Sequence, residues 1–246
     1  MPTTSASFTV LDTVDSTNNY AMAKVHAGLS KHGNAYFSSN QTEGKGQRGR
    51  TWETSTGVNI ALSIVLEVFT LNALQQFQLS VAVALGCFDF FSKYAGDETS
   101  IKWPNDIFWR DRKAGGVLIE NIFHGKDWKF SVVGIGININ QAFFDESLGN
   151  AVSLKQVTGK TFDIIELARE LHQLIVIRFS QLENGVFALL LEEYNQHLYC
   201  LNKKVPLRKD NIIFETMIKK VTEHGQLVTE DNIERQFDFG EVSWVL

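Results

Sequence analysis

The segment Gly44-Lys45-Gly46-Gln47-Arg48-Gly49-Arg50-Thr51 sets three basic side chains among three glycines. Glycines let backbone N–H groups come close to an anion, and Lys45, Arg48 and Arg50 add positive charge. The chemistry this serves is capture of a phosphate or a carboxylate. The spacing is one residue from the phosphate-binding pattern GxxxxGK[ST], with Arg50 where the lysine belongs. That pattern depends on a helix opening directly behind the loop, because the helix N-terminus helps hold the phosphates. Here Trp52 and a polar stretch lead into a β-branched run, so the phosphate-loop reading is rejected and the anion-binding one is kept. The competing reading is a solvated basic hairpin tip. Such tips seldom gather these cations and glycines beside a tryptophan.

Other motifs are individually ambiguous. Asp15-Ser16-Thr17-Asn18 is a run of helix-capping residues, whose hydroxyls and amide can also grip a small polar head group. In Lys102-Trp103-Pro104-Asn105-Asp106 the proline marks an edge or a bend. Trp103 there offers a flat face for stacking or packing, and the polar residues need water, partners or a ligand. Lys113 enters a strand just before Gly115 and Gly116, where it could meet a carboxylate or a phosphoryl oxygen, or simply leave a hairpin turn. The run Gly134-Ile135-Gly136-Ile137-Asn138-Ile139-Asn140 superficially resembles GxGxxG, but no helix follows and a dinucleotide fingerprint is rejected. Asn138 is either a satisfied core amide or a ligand to something polar. No Ser/His/Asp or Cys/His order stands out, so covalent catalysis is unsupported. The six histidines and two cysteines show no metal-ligand spacing, and no protein-built metal site is expected.

These motifs need a scaffold. Residues 8–14 read as a strand, followed by a helix around 20–23 that Gly28 stops. Residues 35–39 are a short strand, 41–52 a loop, 58–68 a strong strand, and 72–94 a long apolar helix capped by Asn72 and ended near Gly96. Strands are predicted at 101–109, 116–123 and 128–139, with hairpin turns at 110–112 and 124–127. Helices follow at 162–182 and 186–198, separated by Glu183-Asn184-Gly185. From Lys203 onward short alternating segments and polar turns predict a barrel-like β unit of about 50 residues. The pattern is not strict βαβ alternation. The predicted fold class is therefore α+β, with a mixed or largely antiparallel sheet and flanking helices.

Composition narrows the function classes. The chain has 246 residues, 44% of them hydrophobic and 21% charged, and a net charge of −5. That excludes wholesale disorder and fits one sizeable domain with a small one. A protein built to coat nucleic acid would be basic overall. No apolar run is read as long enough for a membrane span, and MPTTSASFTV has no basic end leading into an apolar stretch. A reducing cytoplasm suits the two distant cysteines, Cys87 and Cys200.

In order, DSTN at 15–18, QTEGKGQRGRTW at 41–52, KWPND at 102–106, DRKAGG at 111–116 and GIGININ at 134–140 closely resemble the biotin–protein ligase family. The terminal β unit resembles the SH3-like C-terminal domain of that family. The resemblance implies a class II synthetase-like core over 1–198 and an SH3-like domain over 199–246. It implies a two-step reaction. The biotin carboxylate attacks the α-phosphorus of ATP, releasing pyrophosphate and leaving biotinyl-5′-AMP. A lysine of a biotin carboxyl carrier protein or related carboxylase domain then attacks this anhydride, releasing AMP. Mg²⁺ is expected to arrive with ATP. The resemblance gives Ser16, Thr17, Asn18, Gln41, Gly44, Lys45, Gly46, Gln47, Lys113, Gly115 and Gly116 to biotin. It gives Arg48, Arg50, Trp52, Lys102, Asn105, Asp106, Lys113 and Asn138 to ATP and the adenylate. Lys113, Arg48, Arg50 and Asp106 are its catalytic set, with Lys113 the central electrostatic catalyst and Asp106 the group that orients or deprotonates the acceptor lysine. Gln47 departs from the resemblance: it stands where an arginine often contacts the adenylate, which implies a looser grip on that intermediate.

The same-fold alternative is a lipoate or octanoate ligase or transferase, whose glycine and histidine signatures are absent. A binding protein without catalysis is a further alternative, against which Lys113 and the glycine loop argue. A first strand at Phe8 leaves no room for a preceding helix-turn-helix, so a ligase that needs no nucleic acid and no membrane is expected. A homodimer through the sheet edge is one assembly open to it.

Overall fold

The computed structural model describes residues 6–53, 55–145 and 149–245. Residues 60–66 are all buried, and their side chains alternate between the two faces of a strand. Ile60, Leu62, Ile64 and Leu66 are fully buried on one face, and Ala61, Ser63 and Val65 lie on the other. This segment is β3 (Ile60–Glu67). It is flanked by β2 (Ala35–Gln41) and, across an antiparallel ladder, by β7 (Asp127–Ile137). The sheet continues through β6 (Arg112–His124), β5 (Asp106–Trp109) and β4 (Thr99–Lys102). On the other side it ends in β1 (Phe8–Val14). The seven strands run in the order β1-β2-β3-β7-β6-β5-β4, parallel for β1 and β2 and antiparallel elsewhere, as the α+β expectation requires.

Helices cover the two faces unequally. The Ile/Leu face is buried by two helices packed on one another, α2 (Gln76–Ala95) over β4, β5 and β6 and α4 (Ile164–Glu183) over β2 and β3. The middle of α2 is apolar and buried from Val81 to Cys87, and its ends carry exposed Gln76 and Lys93. Residues 73–95 do reach the length and mean hydropathy of a membrane span, contrary to the sequence expectation, but 61% of that window is buried inside the fold. On the opposite face α1 (Thr17–His26) packs through Ala21 onto Tyr36, Val65, Ile122 and Val132. It covers part of the face only, and the uncovered part carries the site.

After α3 (Leu154–Thr158) and α5 (Phe187–Gln196), the chain forms a second, antiparallel sheet. It comprises β8 (Lys204–Lys209), β9 (Ile212–Val221), β10 (Leu227–Glu230), β11 (Glu234–Phe237) and β12 (Ser243–Trp244). Its core residues, among them Leu207, Ile218 and Leu227, belong to the same hydrophobic cluster as the main core. Polar contacts also cross the junction. Asn195 exchanges two hydrogen bonds with the Val221 backbone (2.6 and 3.1 Å), and Trp103 Nε1 donates to the Gly225 carbonyl at 2.9 Å.

Several boundaries differ from expectation. The predicted strand 101–109 is a hairpin, β4 and β5 pairing around Trp103-Pro104-Asn105. Pro104 has no N–H for a ladder, and the chain turns there. The helix predicted from 72 begins as a 3₁₀ turn (Ala73–Gln75), which Asn72 caps. The loop at 41–52 contains its own small hairpin, with Lys45 and Thr51 bridged. The short α3 has no apolar period to announce it. The absence of a secretory signal was read partly from residues 1–5, which lie outside the described residues.

Candidate active site

The uncovered face is paved with small residues. Cross-strand partners place Ser63, Gly134 and Leu118 in one row and Ala61, Gly136 and Gly116 in the next. A Cβ at Gly134 would sit 2.3 Å from Asn18 Oδ1, and one at Gly136 2.2 Å from the Trp52 ring. Contacts below 3 Å are not tolerated, so these glycines are what lets Asn18 and Trp52 lie on the sheet. The cavity above this floor measures about 370 Å³, within the range of small-molecule sites.

One end is a closed hydrogen-bond network. Gln41 Oε1 accepts from the Thr17 N–H at 2.8 Å and from its hydroxyl at 3.1 Å. The Ser63 hydroxyl lies 2.8 Å from Thr17 Oγ1 and 2.6 Å from Asn18 Oδ1, and Asn18 Nδ2 donates to Glu120 at 2.8 Å. Ser16 holds the N-cap position of α1, but its side chain makes no cap hydrogen bond. Gln41 instead satisfies an orphan amide of the helix. Ser63 and Glu120 escaped the sequence reading. Their signal is a lone hydroxyl and a lone carboxylate inside otherwise apolar strands.

The other end is cationic. Of the charged residues lining the described cavity, Lys45, Arg48, Arg50, Lys102 and Lys113 are basic, and one, Asp106, is acidic. Lys113 reaches it through a register shift. Asp106 pairs with Gly116 and Ile107 with Gly115, but Phe108 pairs with Lys113, leaving Ala114 as the extra residue of a bulge. A bulge re-aims the side chains before it. In a regular strand Lys113 and Gly116, three apart, would face opposite sides. With the bulge they share a face: a Cβ on Gly116 would stand 3.4 Å from Lys113 Nζ. The ammonium forms an ion pair with Asp106 Oδ1 at 2.7 Å. It sits 5.8 Å from the Trp52 ring centroid.

Lys102 pairs with Asp106 across the β4–β5 hairpin, its Nζ 4.8 Å from the Phe108 ring centroid and 5.6 Å from that of Trp244. Burial holds its pKa below the usual lysine value, opposed by Asp106 and reinforced by Lys113 and Arg50.

The glycine loop folds on itself. Gly46 N–H donates to the Arg50 carbonyl at 2.7 Å and Trp52 N–H to the Gly44 carbonyl at 2.8 Å. A Cβ on Gly44 would meet the Trp52 carbonyl oxygen at 2.3 Å. Lys45 Nζ donates to Asn19, Gln47 Nε2 to the Val117 carbonyl at 3.3 Å, and Arg48 to the Phe239 carbonyl at 2.8 Å.

Most sequence-derived candidates therefore converge: Ser16, Thr17, Asn18, Gln41, Lys45, Gly46, Gln47, Arg48, Arg50, Trp52, Lys102, Asn105, Asp106, Lys113 and Gly116 line the cavity. Gly44, Gly115 and Asn138 are not among its lining residues. Gly44 closes the loop. Gly115 packs on β7, where a Cβ would come within 2.8 Å of the Gly136 carbonyl oxygen. Asn138 N–H donates to the Ala114 carbonyl at 2.9 Å, and its Nδ2 to the Val152 carbonyl at 3.1 Å, with the Lys113 carbonyl at 3.4 Å. It braces the backbone that carries Lys113. Trp103 also lines the cavity, but it is largely buried and packs edge-on against Phe239. From the C-terminal unit, Phe239, Gly240 and Val242 on the segment between β11 and β12, and Ser243 and Trp244 on β12, also line the cavity. They were missed because their segment reads only as alternating β. Among the described residues no cluster of His, Cys, Asp and Glu could hold a metal ion.

The bare face of this mixed sheet joins a hydrogen-bonding pocket to a cationic one, an arrangement suited to ligands that carry polar groups beside anionic ones. Residues 10–138 match the Biotin/lipoate A/B protein ligase family, and the chain belongs to it. It is 29% identical over 242 residues to the bifunctional ligase/repressor BirA of Escherichia coli, covering 96% of this chain and 74% of that protein. It is also 29% identical over 234 residues to the biotin–[acetyl-CoA-carboxylase] ligase of Paracoccus denitrificans, covering 92% and 95%. Its fold resembles the Aquifex aeolicus biotin protein ligase in complex with biotin and ATP, with a TM-score of 0.79 and 25% identity, covering 96% of this chain and 97% of that one.

Proposed function

We infer that this chain activates biotin with ATP and passes it to a lysine of a biotin carboxyl carrier or related carboxylase domain. The observation that carries this reading is the position of Lys113. The bulge sets its ammonium one strand row from the Thr17–Asn18–Gln41–Ser63 network and inside the cationic end. The network suits a neutral ring with its own amide donors and acceptor, and we assign Ser16, Thr17, Asn18 and Gln41 to the ureido ring of biotin. Lys113, Lys102 and Arg50 then face the nucleotide phosphates, and Trp52 borders the adenine.

Two anions must meet in the first step, a carboxylate and a triphosphate. Fixed cations that offset their repulsion, and a geometry that holds them together, supply the rate. The carboxylate oxygen bonds the α-phosphorus as pyrophosphate leaves, and Lys113 holds the oxygens of both. No covalent enzyme intermediate is needed. Mg²⁺ would arrive with the triphosphate and would offset its charge; Asp106, the carboxylate lining the cavity and paired with Lys113, is the side chain that would help hold it. In the second step the acceptor amine must be neutral to attack, and Asp106 is the carboxylate placed to orient it or take its proton. Asp106→Asn is expected to slow transfer more than adenylation; unchanged transfer from preformed biotinyl-AMP removes Asp106 from that role.

We further divide the chain at 198/199 into a catalytic core and an SH3-like unit. The reading calls for neither nucleic acid nor membrane, suits a cytoplasmic setting, and leaves a homodimer to be measured by sedimentation. Its test is incubation with ATP, Mg²⁺, biotin and a carboxyl carrier domain, with lipoate and octanoate in parallel. Mass gain on the acceptor with biotin supports it, and gain with lipoate alone overturns it.

A further inference from the structure

We propose that Arg48 is a latch: it fastens the tip of the glycine loop to the C-terminal unit, which thereby holds the cavity closed over the adenylate. The proposal rests on the functional reading above for what the cavity contains, but not for the latch itself.

Both kinds of contact a guanidinium makes are spent on one residue. Its carbon lies 4.2 Å from the centre of the Phe239 ring, and Nη2 donates to the Phe239 carbonyl at 2.8 Å. Stacking occupies a face of the guanidinium and the Phe239 carbonyl one of its in-plane donors, so the C-terminal unit, and not the loop, fixes where this group sits. The receiving surface is shaped for it. A Cβ on Gly240 would fall 1.9 Å from both terminal guanidinium nitrogens, so a glycine is what lets Arg48 lie against this turn.

Phe239 is itself a fixed post. Trp103 meets its ring edge-on at 6.0 Å and 83°, and the same tryptophan donates to the Gly225 carbonyl. Three parts of the chain thus stack in sequence: the core hairpin through Trp103, the C-terminal unit through Phe239 and the loop through Arg48. Arg48 itself is in the left-handed region (φ 55), at the turn of the loop hairpin. Gln47 beside it bonds the β6 backbone, so adjacent residues tie the loop to both walls of the cavity.

The test uses the whole chain and the variants Phe239→Ala, Gly240→Ala, Arg48→Gln and Arg48→Gln/Phe239→Ala. Trypsin can cut the loop after Lys45, Arg48 and Arg50, which gives a readout independent of catalysis. Phe239→Ala removes the ring but keeps the carbonyl, a loss of the cation–π contact alone worth about five-fold in loop opening; a methyl on Gly240 displaces the guanidinium from ring and carbonyl together, worth about ten-fold. Both variants are therefore expected to be nicked in the loop faster than wild type by these factors, and to release preformed biotinyl-AMP faster by similar ones. Gly240→Ala keeps both contact residues and serves if Phe239→Ala does not fold. The double variant is expected to release biotinyl-AMP no faster than the worse single, since both remove one contact. Additive effects, or wild-type nicking and release in both Phe239→Ala and Gly240→Ala, would overturn the latch. If wild type makes no biotinyl-AMP, the functional reading fails, while the nicking rates still decide the latch.

Discussion

At one end of the cavity Thr17, Asn18, Gln41, Ser63 and Glu120 hold one another through hydrogen bonds of 2.6–3.1 Å, on strands and a helix start whose backbone cannot move without the core. At the other, Lys45, Arg48 and Arg50 ride on an exposed loop held at its tip by side-chain contacts of Lys45, Gln47 and Arg48. The first end recognises by shape and fixed polarity, and its groups are oriented before a ligand enters. The second relies on charge, which tolerates imprecise placement but is screened by salt. Lys113 belongs to both, a cation carried on a rigid strand.

The sharpest way to break this comparison is to remove the residue that joins the ends. Lys113→Met is expected to lower kcat for adenylation by about a thousand-fold, the scale of losing a fixed charge at a reacting centre, measured by pyrophosphate release. Next is the rigid floor. Gly134→Ala drives a methyl into Asn18 and is expected to weaken biotin binding by about a hundred-fold in calorimetry, the scale of overpacking a close-packed site. A loss below three-fold would show that the hydrogen-bonded end is pliant. Asn138→Ala separates support from contact: it frees the Lys113 backbone, so kcat should fall about ten-fold with biotin affinity nearly unchanged. Raising salt should then discriminate between the ends. ATP affinity is expected to fall a few-fold between 0.05 and 0.5 M salt, and biotin affinity to stay level.

The smallest effect concerns pH. Because burial lowers the Lys102 pKa, its ammonium is lost at lower pH than a free lysine would lose it. The charged form is the one that attracts phosphate, so KM for ATP should climb on the alkaline side, and Lys102→Met should flatten that climb at a higher baseline KM.

The legibility of the molecule in its sequence follows the same division. The loop cations, the hydroxyls of α1 and the Lys-Ala-Gly-Gly turn were visible because they interrupt apolar or regular patterns with chemistry. Ser63 and Glu120 were not, since a single polar residue in a strand says nothing about which face it is on until neighbouring strands are in register. The β4–β5 hairpin was hidden for a related reason: one proline signals a bend but not its sharpness. The contribution of Phe239 and Trp244 could not be read at all, because it depends on where the second sheet docks. Asn138, open between core amide and ligand on sequence alone, is a brace, which only its bonds to the Val152 and Ala114 carbonyls reveal.

The bulge at Ala114 makes the identity of the reactive face a matter of counting. Residues on a strand have parity, and one uncounted residue moves Lys113 from odd to even. Ironing the bulge flat with Ala114 taken into the ladder would keep every group named in the site, at the same charge and length, yet turn the Lys113 ammonium to the opposite face of the sheet. Deleting Ala114 would not: it removes the extra residue and leaves Lys113 two positions from Gly116, on the same face. The pairing count between these two residues, and not the identity of either, keeps this cation on the side of the sheet that carries the cavity.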